Sequence, residues 1–328
     1  MAGLTGFRMP AEWAPHAATW LAWPHERTDW PGKFAPVHWV YGDFVKKVSQ
    51  VERVRVLVES EAAERQARGV FRKSGADLEA VEFFQLPTNR SWCRDFCPLF
   101  VRNEEGEVAI TNWLFNGWAK YDNWQEDNAV PAALAPRLGL RQFEPGIVLE
   151  GGSIDVNGAG KMLTTEECLL SQDVQVRNPG ISKADLESYF ARYLGVNETI
   201  WLNKGIEGDD THGHVDDLAR FVDENTVVLV EQEDRENLER LQRTGLRVVL
   251  LPMPEPIYFA GQRLPASYAN FYIANKLVLV PTFNDPSDRV ALATIAGLFP
   301  DRQVVGIHSL DLVLGLGTLH CMTMQQPA

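Results

Sequence analysis

Five polar stretches of the sequence carry residues able to do chemistry, and they recur at similar intervals along the chain. They contain Asp95, Glu150, His214, Asn270 and Cys321, which are separated by 55, 64, 56 and 51 residues. A cysteine can act as a nucleophile, a histidine can move a proton, and carboxylates can bind a cation. If five similar units surround one axis, their equivalent loops meet at one end of it. We therefore expect these side chains to face a single pocket.

Cys321 ends the stretch GLGTLHC near the end of the chain. A single cysteine is often a small buried packing residue, which is the alternative to a reactive thiolate. Gly315 and Gly317 favour a tight turn or a close approach of the backbone to a ligand. A thiolate also needs a base or a cation nearby. His214 is the candidate, because His320 is adjacent to Cys321 and points to the opposite side if the segment is extended.

The densest group of functional side chains is the stretch GDDTHGHVDD. It adds Asp216 as a second candidate carboxylate beside His214. A solvated acidic loop is one alternative for this stretch, and a metal site is another. Residues 212–217, HGHVDD, come close to the HxHxDH pattern of metallo-β-lactamase-type hydrolases, whose histidines and carboxylate bind zinc. Asp217 stands where that pattern has its last histidine.

The stretches around Asp95 and Glu150 complete the candidate site. Asp95 lies in SWCRDFC, where Trp92 would form an aromatic wall beside the carboxylate; an ordinary surface ion pair is the alternative. Cys93 and Cys97 in the same stretch lack the spacing of redox or zinc motifs, and we interpret them as packing residues. Glu150 begins EGGS, whose glycines allow the backbone to bend so that the carboxylate points inward.

Together these residues predict chemistry on a guanidinium group. Several carboxylates in one pocket repel one another unless a cation lies between them. A guanidinium is planar and permanently charged, and it pairs with carboxylates through two parallel hydrogen bonds. In the predicted mechanism Asp95 and Asp216 bind the guanidinium while the Cys321 thiolate attacks its central carbon. His214 protonates the departing ammonia and then deprotonates the water that hydrolyses the covalent amidino-cysteine. This route requires no metal and no organic cofactor.

The elements that must position these residues alternate between strands and helices. Short β-branched runs predict five strands, at 54–60, 107–113, 161–167, 226–233 and 276–283. Apolar residues at i, i+3 and i+4 predict helices at 61–75, 182–195, 234–245 and 288–300. A second strand is predicted in each unit, in LEAVEFFQLP, FEPGIVLE, ETIWLN, LRVVLLP and RQVVGIHS. The intervals between residues aligned in these strands are 54, 54, 65 and 51 for Val54, Val108, Met162, Val227 and Val278, which predicts one repeated α/β unit.

The composition is that of a globular protein, with 45% apolar and 23% charged residues over 328 positions. No Gly/Ser linker or low-complexity tract divides the chain, so we expect a single catalytic domain over 1–328. The net charge of −13 argues against a nucleic-acid partner, because phosphate binding needs clustered Lys and Arg. No apolar run approaches a membrane span, and the first residues do not read as a signal peptide. Four cysteines favour a reduced, cytoplasmic compartment over a disulfide scaffold.

Six stretches of the chain resemble one enzyme family over nearly the whole sequence. They are MPAEWAPHAATWLAWPH, SWCRDFCPLFV, LEGGSIDVNG, DTHGHVDDLARFV, SYANFYIANKLVLVP and GLGTLHCMTMQQP. The family they resemble is that of agmatine deiminase and the Porphyromonas-type peptidyl-arginine deiminase, within the guanidino-modifying superfamily. The resemblance implies a five-bladed α/β propeller, the pentein fold, built from repeated ββαβ-type units. It also implies a homo-oligomer, commonly a dimer.

Matched residue by residue, the family's nucleophile falls on Cys321 and its general acid/base on His214. Its guanidinium-binding carboxylates fall on Asp95 and Asp216. Glu150 matches the glutamate of the family's EGG motif. Asn270 is a candidate for the polarity of the pocket, and with Glu150 and Trp92 it completes the predicted substrate-binding residues.

The resemblance implies a deiminase that converts agmatine and water to N-carbamoylputrescine and ammonia, with a small guanidino molecule as its partner. Arg90 departs from the pattern, because typical agmatine deiminases have an acidic residue at this place before SW. Phe96 departs as well, so the identity of the substrate is less fixed than the reaction. The alternatives are a deiminase of peptidyl-arginine or of another guanidino compound, a metal-dependent hydrolase built on HGHVDD, and a non-catalytic guanidine-binding protein.

Overall fold

The structure of the protein is a computed structural model that describes residues 6–328, which form a mixed α/β fold. The strands, in chain order, are β1 (His16–Ala22), β2 (Arg53–Val58), β3 (Val81–Gln85), β4 (Leu99–Arg102), β5 (Val108–Thr111), β6 (Arg141–Phe143), β7 (Asp155–Val156), β8 (Lys161–Thr165), β9 (Glu198–Leu202), β10 (Ala219–Phe221), β11 (Thr226–Val230), β12 (Arg247–Leu251), β13 (Tyr258–Phe259), β14 (Gln262–Arg263), β15 (Tyr272–Ile273), β16 (Leu277–Thr282), β17 (Gln303–His308) and β18 (Thr323–Pro327). The α-helices are α1 (Phe34–Val48), α2 (Glu61–Ser74), α3 (Cys93–Phe96), α4 (Gln125–Leu138), α5 (Glu166–Leu169), α6 (Lys183–Leu194), α7 (Glu236–Gln242) and α8 (Ser287–Leu298).

Five sheets repeat one pattern of strands. Their orders are β18-β1-β2-β3, β4-β5-β6, β7-β8-β9, β10-β11-β12 and β15-β16-β17. In every sheet the first pair is antiparallel and the following pair is parallel. A parallel pair needs a crossover connection, and here each crossover contains at least one helix. The short strands β13 and β14 form a separate hairpin.

The two ends of the described chain meet in the first sheet. β18 pairs with β1, with His16 opposite Pro327 and Leu21 opposite Thr323. Because the pair is antiparallel, the end of β1 lies beside the start of β18, which directly follows the loop that contains Cys321. Glu12, in the segment before β1, contacts His320, the neighbour of the candidate nucleophile, at 2.7 Å.

Apolar side chains and capped helices hold these units together. Trp20, Trp23 and Trp30 are almost completely buried, so the tryptophan-rich segment near the start packs into the core. Burying a large apolar side chain of this kind contributes at least roughly 1.5–3 kcal/mol each. Helix α6 begins at a capping box of Ser182 and Asp185, which satisfies backbone N–H groups at the helix start.

Most of the predicted elements are confirmed. The central strands β2, β5, β8, β11 and β16 and the helices α2, α6, α7 and α8 lie where the sequence pattern predicts them. The predicted strand in FEPGIVLE is wrong, because β6 ends at Phe143 and Val148 makes only an isolated bridge to Leu114. Pro145 has no N–H to donate and Gly146 has a φ of +82°, so this segment leaves the ladder. Within residues 6–328, the helices are too short or too polar to cross a membrane.

The predicted functional residues occupy equivalent places in the five sheets. Asp95, Glu150, His214, Asn270 and Cys321 each lie two to five residues before the first strand of a sheet, namely β4, β7, β10, β15 and β18. The regular spacing seen in the sequence therefore reflects one recurring loop of the repeated unit.

Candidate active site

A cavity of about 320 Å³ opens onto the loops that carry Asp95 and Cys321. Trp92, Asp95, Trp118 and Cys321 contribute to its lining. A volume of this size suits a small molecule. The cavity thus joins an aromatic wall, a carboxylate and a thiol, as the sequence predicts for Trp92, Asp95 and Cys321.

Cys321 is only 7% exposed and lies in the loop before β18, where the backbone and a glycine fix its position. Its carbonyl oxygen accepts a hydrogen bond from the Arg94 backbone N–H at 3.0 Å. A Cβ atom on Gly317 would lie 2.8 Å from the Trp92 ring and 3.0 Å from the Cys321 Cβ atom. Glycine is required here because a side chain would collide with both of them.

Asn270 lies against the Cys321 sulfur. Its Nδ2 donates to Sγ at 3.0 Å. Its Oδ1 accepts from the Thr318 hydroxyl at 2.6 Å and from the His320 backbone N–H at 3.0 Å. Because these donors face the oxygen, the amide group presents N–H to the sulfur, which favours the thiolate form.

The Asp95 carboxylate accepts two hydrogen bonds, and the backbone of Gly152 lies close to it. Its Oδ1 accepts from the Gly152 N–H at 3.0 Å, and its Oδ2 accepts from the Trp118 Nε1–H at 2.8 Å. A Cβ atom on Gly152 would lie 2.6 Å from His214 Nδ1 and 2.8 Å from Asp95 Oδ1. The glycines of EGGS therefore make room for the carboxylate and the imidazole to come together.

His214 lies among three carboxylates. Its Nδ1 is 3.7 Å from Asp95 Oδ1 and 4.0 Å from Asp216 Oδ1, and its Nε2 is 3.6 Å from Glu150 Oε2. Burial alone would lower the pKa of His214, but Asp95, Cys168 and Glu150 raise it well above its ordinary value. The imidazole is therefore protonated at neutral pH, in the form that can donate a proton.

Glu150 is neutralised by Arg177, a residue that no sequence motif indicated. Arg177 Nε donates to Glu150 Oε1 at 2.9 Å, and both side chains are completely buried. Burial raises the pKa of Glu150, but Arg177 and His214 outweigh it and lower the pKa to about 2. Glu150 is thus a fixed negative charge behind His214.

Arg177→Gln tests this buried pair. We expect the substitution to lower the free energy of unfolding by about 3–5 kcal/mol, because Glu150 loses its charged partner inside the protein. Lys161→Gln is the matched control, since Lys161 pairs with Glu198 at the surface at 2.8 Å and contributes about 0–1 kcal/mol. Urea unfolding of both variants measures the difference. Equal losses in the two variants would contradict this account of Glu150.

Asp216 is supported by a buried chain of charges that the sequence analysis missed. His320 Nδ1 is 2.7 Å from Asp216 Oδ2, and His320 Nε2 is 2.7 Å from Glu12 Oε2. Each ring nitrogen of His320 therefore faces a carboxylate oxygen, and the ring bridges Asp216 and Glu12. Glu12 is in turn 2.9 Å from Arg220 Nη2. Residues 319–322 form a turn and not the extended segment considered in the sequence analysis, and His320 contacts Asp216 from outside the cavity lining.

Two carboxylate oxygens of the site are left without a hydrogen-bond partner by the described residues. Asp216 Oδ1 and Glu150 Oε2 are buried without a hydrogen-bond partner among residues 6–328. Burial, with Asp216 and Glu150, raises the pKa of Asp95 to about 6 even though His214 lowers it. Burial and the carboxylates of Asp216, Asp217 and Asp95 raise the pKa of the Cys321 thiol well above its ordinary value. A cation bound in the site would lower the raised pKa values of both Asp95 and Cys321.

The HxHxDH-like residues do not gather into one ligand set. Two groups of described residues have three possible ligand atoms within 4.8 Å, and these are Glu150 with Cys168 and His214, and Asp216 with Asp217 and Cys321. Of the two histidines of the motif, His214 falls in the first group and His212 in neither, and the two aspartates fall in the second group. Arg177 already contacts Glu150 of the first group, and His320 already contacts Asp216 of the second.

The structure brings together all seven residues predicted for the site. Contacts of 4.0 Å or less run from Asp95 through His214 to Glu150 and Asp216. The thiol of Cys321 is 3.6 Å from Asp216 Oδ2, and Asn270 lies on the sulfur. Trp92 shares the cavity lining with Cys321. Their individual roles remain predictions of the chemistry.

Known proteins resemble this chain over almost its whole length. It is 34% identical over 362 residues to an agmatine deiminase of Ectopseudomonas mendocina (strain ymp), covering 98% of this chain and 96% of the relative. The solved agmatine deiminase of Enterococcus faecalis matches with a TM-score of 0.90 and 32% identity, over 98% of this chain and 96% of that one. An agmatine deiminase of C. jejuni with substrate bound matches with a TM-score of 0.89 and 31% identity, over 98% and 96%. The family model described as Porphyromonas-type peptidyl-arginine deiminase matches residues 8–327. The chain therefore belongs to the Porphyromonas-type peptidyl-arginine deiminase family, as its sequence motifs predict.

Proposed function

We propose that the protein is an agmatine deiminase, which converts agmatine and water to N-carbamoylputrescine and ammonia. The observation that carries the proposal is the position of the Cys321 thiol, 3.6 Å from Asp216 in a cavity that Asp95 also lines. Relatives that match over nearly the whole chain are agmatine deiminases, and one of them is solved with its substrate bound. The same geometry serves any molecule that carries a guanidinium end.

The guanidinium binds between Asp95 and Asp216. Asp216 Oδ1 is buried without a partner among the described residues, and the pKa of Asp95 is raised to about 6 by burial and neighbouring carboxylates. A planar cation with five N–H donors supplies the missing hydrogen bonds and charge. This binding places the central carbon of the guanidinium next to Cys321.

Binding of the cation prepares the nucleophile. The thiol is protonated in the empty site, because burial and three carboxylates raise its pKa. A guanidinium beside the sulfur reverses that balance and favours the thiolate, to which Asn270 donates a hydrogen bond. The sulfur then forms a bond to the guanidinium carbon, and the C–N bond to the departing nitrogen breaks.

His214 moves the protons in both halves of the reaction. As an imidazolium it protonates the departing nitrogen, so that ammonia leaves and an amidino-cysteine remains. The neutral imidazole then takes a proton from water, and the resulting hydroxide attacks the amidino carbon and releases the thiolate. Glu150 and Asp95 stabilise the imidazolium whenever it forms, which is the function of a carboxylate beside a catalytic histidine.

The fold that supports this site is proposed to be a five-bladed propeller. Each of the five sheets repeats one strand pattern, and each contributes one functional residue from the loop before its first strand. Such loops converge if the sheets surround one axis. We further propose a single catalytic domain, a homodimer as the assembled form, and a cytoplasmic location, where the four cysteines stay as free thiols.

The function is tested by measuring the ureido product formed from agmatine, arginine and an arginyl peptide, each with and without EDTA. We expect rapid turnover of agmatine that EDTA does not change, because the route uses a thiolate and no metal. Preference for arginine or the peptide would transfer the assignment to another guanidino substrate with the same chemistry. Activity lost with EDTA would favour the metal-dependent hydrolase, and binding without turnover would favour a guanidine-binding protein.

A further inference from the structure

A carboxylate lies at a second place in the cavity lining, apart from the residues assigned to the reaction. Asp29 ends a 3-10 turn (Arg27–Asp29) after β1, and it lines the same cavity as Asp95 and Cys321. Its side chain is only 5% exposed. Oδ1 accepts a hydrogen bond from Arg90 Nη1, whereas Oδ2 is buried and has no partner among residues 6–328. A buried carboxylate oxygen without a donor is costly unless a ligand supplies one.

Arg90 is fixed by other contacts and cannot turn away from Asp29 without losing them. Its Nη2 donates to Asn123 Oδ1 at 3.2 Å, and its guanidinium lies 4.5 Å from the centre of the Tyr121 ring. Arg90 therefore acts as a rigid support that orients Asp29. The second carboxylate oxygen of Asp29, Oδ2, is therefore available to accept a hydrogen bond from a ligand.

The charged groups around this part of the cavity leave Asp29 less well paired than Asp210. Asp29 and Asp210 are the carboxylates of the lining at this part of the cavity, and Arg90 is the cation among the described lining residues. Asp210 already has donors, because Lys120 Nζ and the Tyr121 hydroxyl contact it. Burial, with a smaller contribution from Glu26, raises the pKa of Asp29 to about 6, although Arg90 and His25 lower it. Arg90 alone therefore does not compensate the buried charge of Asp29.

We propose that Asp29 binds a cationic amine at the tail of the substrate, while Asp95 and Asp216 bind the guanidinium at its other end. This inference rests on the proposed function and deepens it, because it names the substrate class as guanidino amines. An ammonium group donates to the free Oδ2 in a charge-assisted hydrogen bond. The cavity then has one carboxylate site for the guanidinium and a second for the ammonium group of a doubly charged substrate.

The competing ligand is a substrate with a carboxylate tail bound by Arg90. Arg90 Nε, like Asp29 Oδ2, is buried without a partner among residues 6–328. An anion at this place would lie beside the unpartnered Asp29 Oδ2, which repels it. The residues therefore favour the amine, and the carboxylate tail becomes an outcome of the test.

The experiment compares three ligands that share the guanidinium and differ in the tail: agmatine, n-butylguanidine and 4-guanidinobutyrate. Calorimetry gives Kd for each on Cys321→Ala, which does not turn them over, and on Cys321→Ala/Asp29→Asn. We expect Asp29→Asn to weaken agmatine by about 10- to 100-fold, as for a lost charged hydrogen bond, and n-butylguanidine by less than about twofold. The same Asp29→Asn change in the active enzyme should lower the ratio of kcat/KM for agmatine to that for n-butylguanidine by a similar factor.

Asp43→Asn is the charge-matched control, because Asp43 is an exposed residue of α1 whose partner is Lys47 at 2.6 Å. It should leave all three Kd values unchanged. Equal weakening of agmatine and n-butylguanidine by Asp29→Asn would overturn the inference, since the residue would then act only through the structure. Tightest binding of 4-guanidinobutyrate would overturn it in favour of Arg90. Failure of all three ligands to bind would instead remove the proposed function and the amine site with it.

Discussion

Cys321→Ala should abolish formation of the ureido product while agmatine still binds. We expect kcat to fall by at least about 10⁴-fold, because the substitution removes the atom that bonds to the guanidinium carbon. Binding should survive because the carboxylates of Asp95 and Asp216 do not depend on the sulfur; Asp216 is held by His320 and Asp95 by Trp118 and Gly152. A colorimetric assay for ureido groups and calorimetry with agmatine measure the two properties separately.

Cys97→Ala is the matched control for this prediction. Cys97 is also buried, but it packs in the hydrophobic core beside α3 and is not part of the cavity lining. The control should retain most of its kcat and lose only stability. Steady product formation by Cys321→Ala, above the rate without enzyme, would remove the covalent route.

The repeated units could be predicted because strands and helices are specified by residues that are close together in the sequence. The central strands are continuous β-branched runs such as Thr226–Val230, and α6 is bounded by Ser182 and Gly195, which begin and end helices for known physical reasons. Helix α4 was missed because Pro131 and Pro136 lie inside it and proline normally argues against a helix interior. Helix α1 was missed although its buried Val37, Tyr41, Phe44 and Val48 carry helical spacing.

The reactive residues could be predicted from the sequence, but most of the residues that charge or orient them could not. Each reactive residue stands in a polar motif of its own, whereas the partner that charges or orients it comes from a distant part of the chain. Glu12 is 308 residues from His320 and 208 residues from Arg220 along the sequence, and the three meet only in the folded protein. A single sequence contains no signal for such a pairing of charges.

These supports decide the protonation states on which the chemistry depends. Glu150 remains negative because Arg177 contacts it, and Asp216 remains negative because His320 contacts it; the pKa values of both carboxyl groups are lowered. Within the described part of the chain Asp95 has no arginine partner, and burial raises its pKa. The site therefore has two permanent negative charges and a third carboxyl that becomes fully charged when the guanidinium binds.

His214→Asn should lower kcat by about 10²- to 10⁴-fold, because His214 both protonates the departing ammonia and activates the water. The pKa of His214 is raised well above its ordinary value, since Asp95, Cys168 and Glu150 outweigh the effect of burial. The imidazolium required for the first half therefore persists through neutral pH and is lost as the pH rises through that raised pKa. We expect an alkaline decline in kcat for the natural enzyme and its absence from the residual activity of His214→Asn.

His308→Asn is the control, because His308 is exposed at the end of β17 and outside the site. Its kcat and pH profile should match those of the natural enzyme. A loss of less than about tenfold in His214→Asn, or an alkaline decline that remains in this variant, would assign the proton transfer to another group. The carboxylates around His214 would then serve only to bind the guanidinium, and the acid in the first half would have to be a buried carboxyl with a raised pKa, such as Asp95.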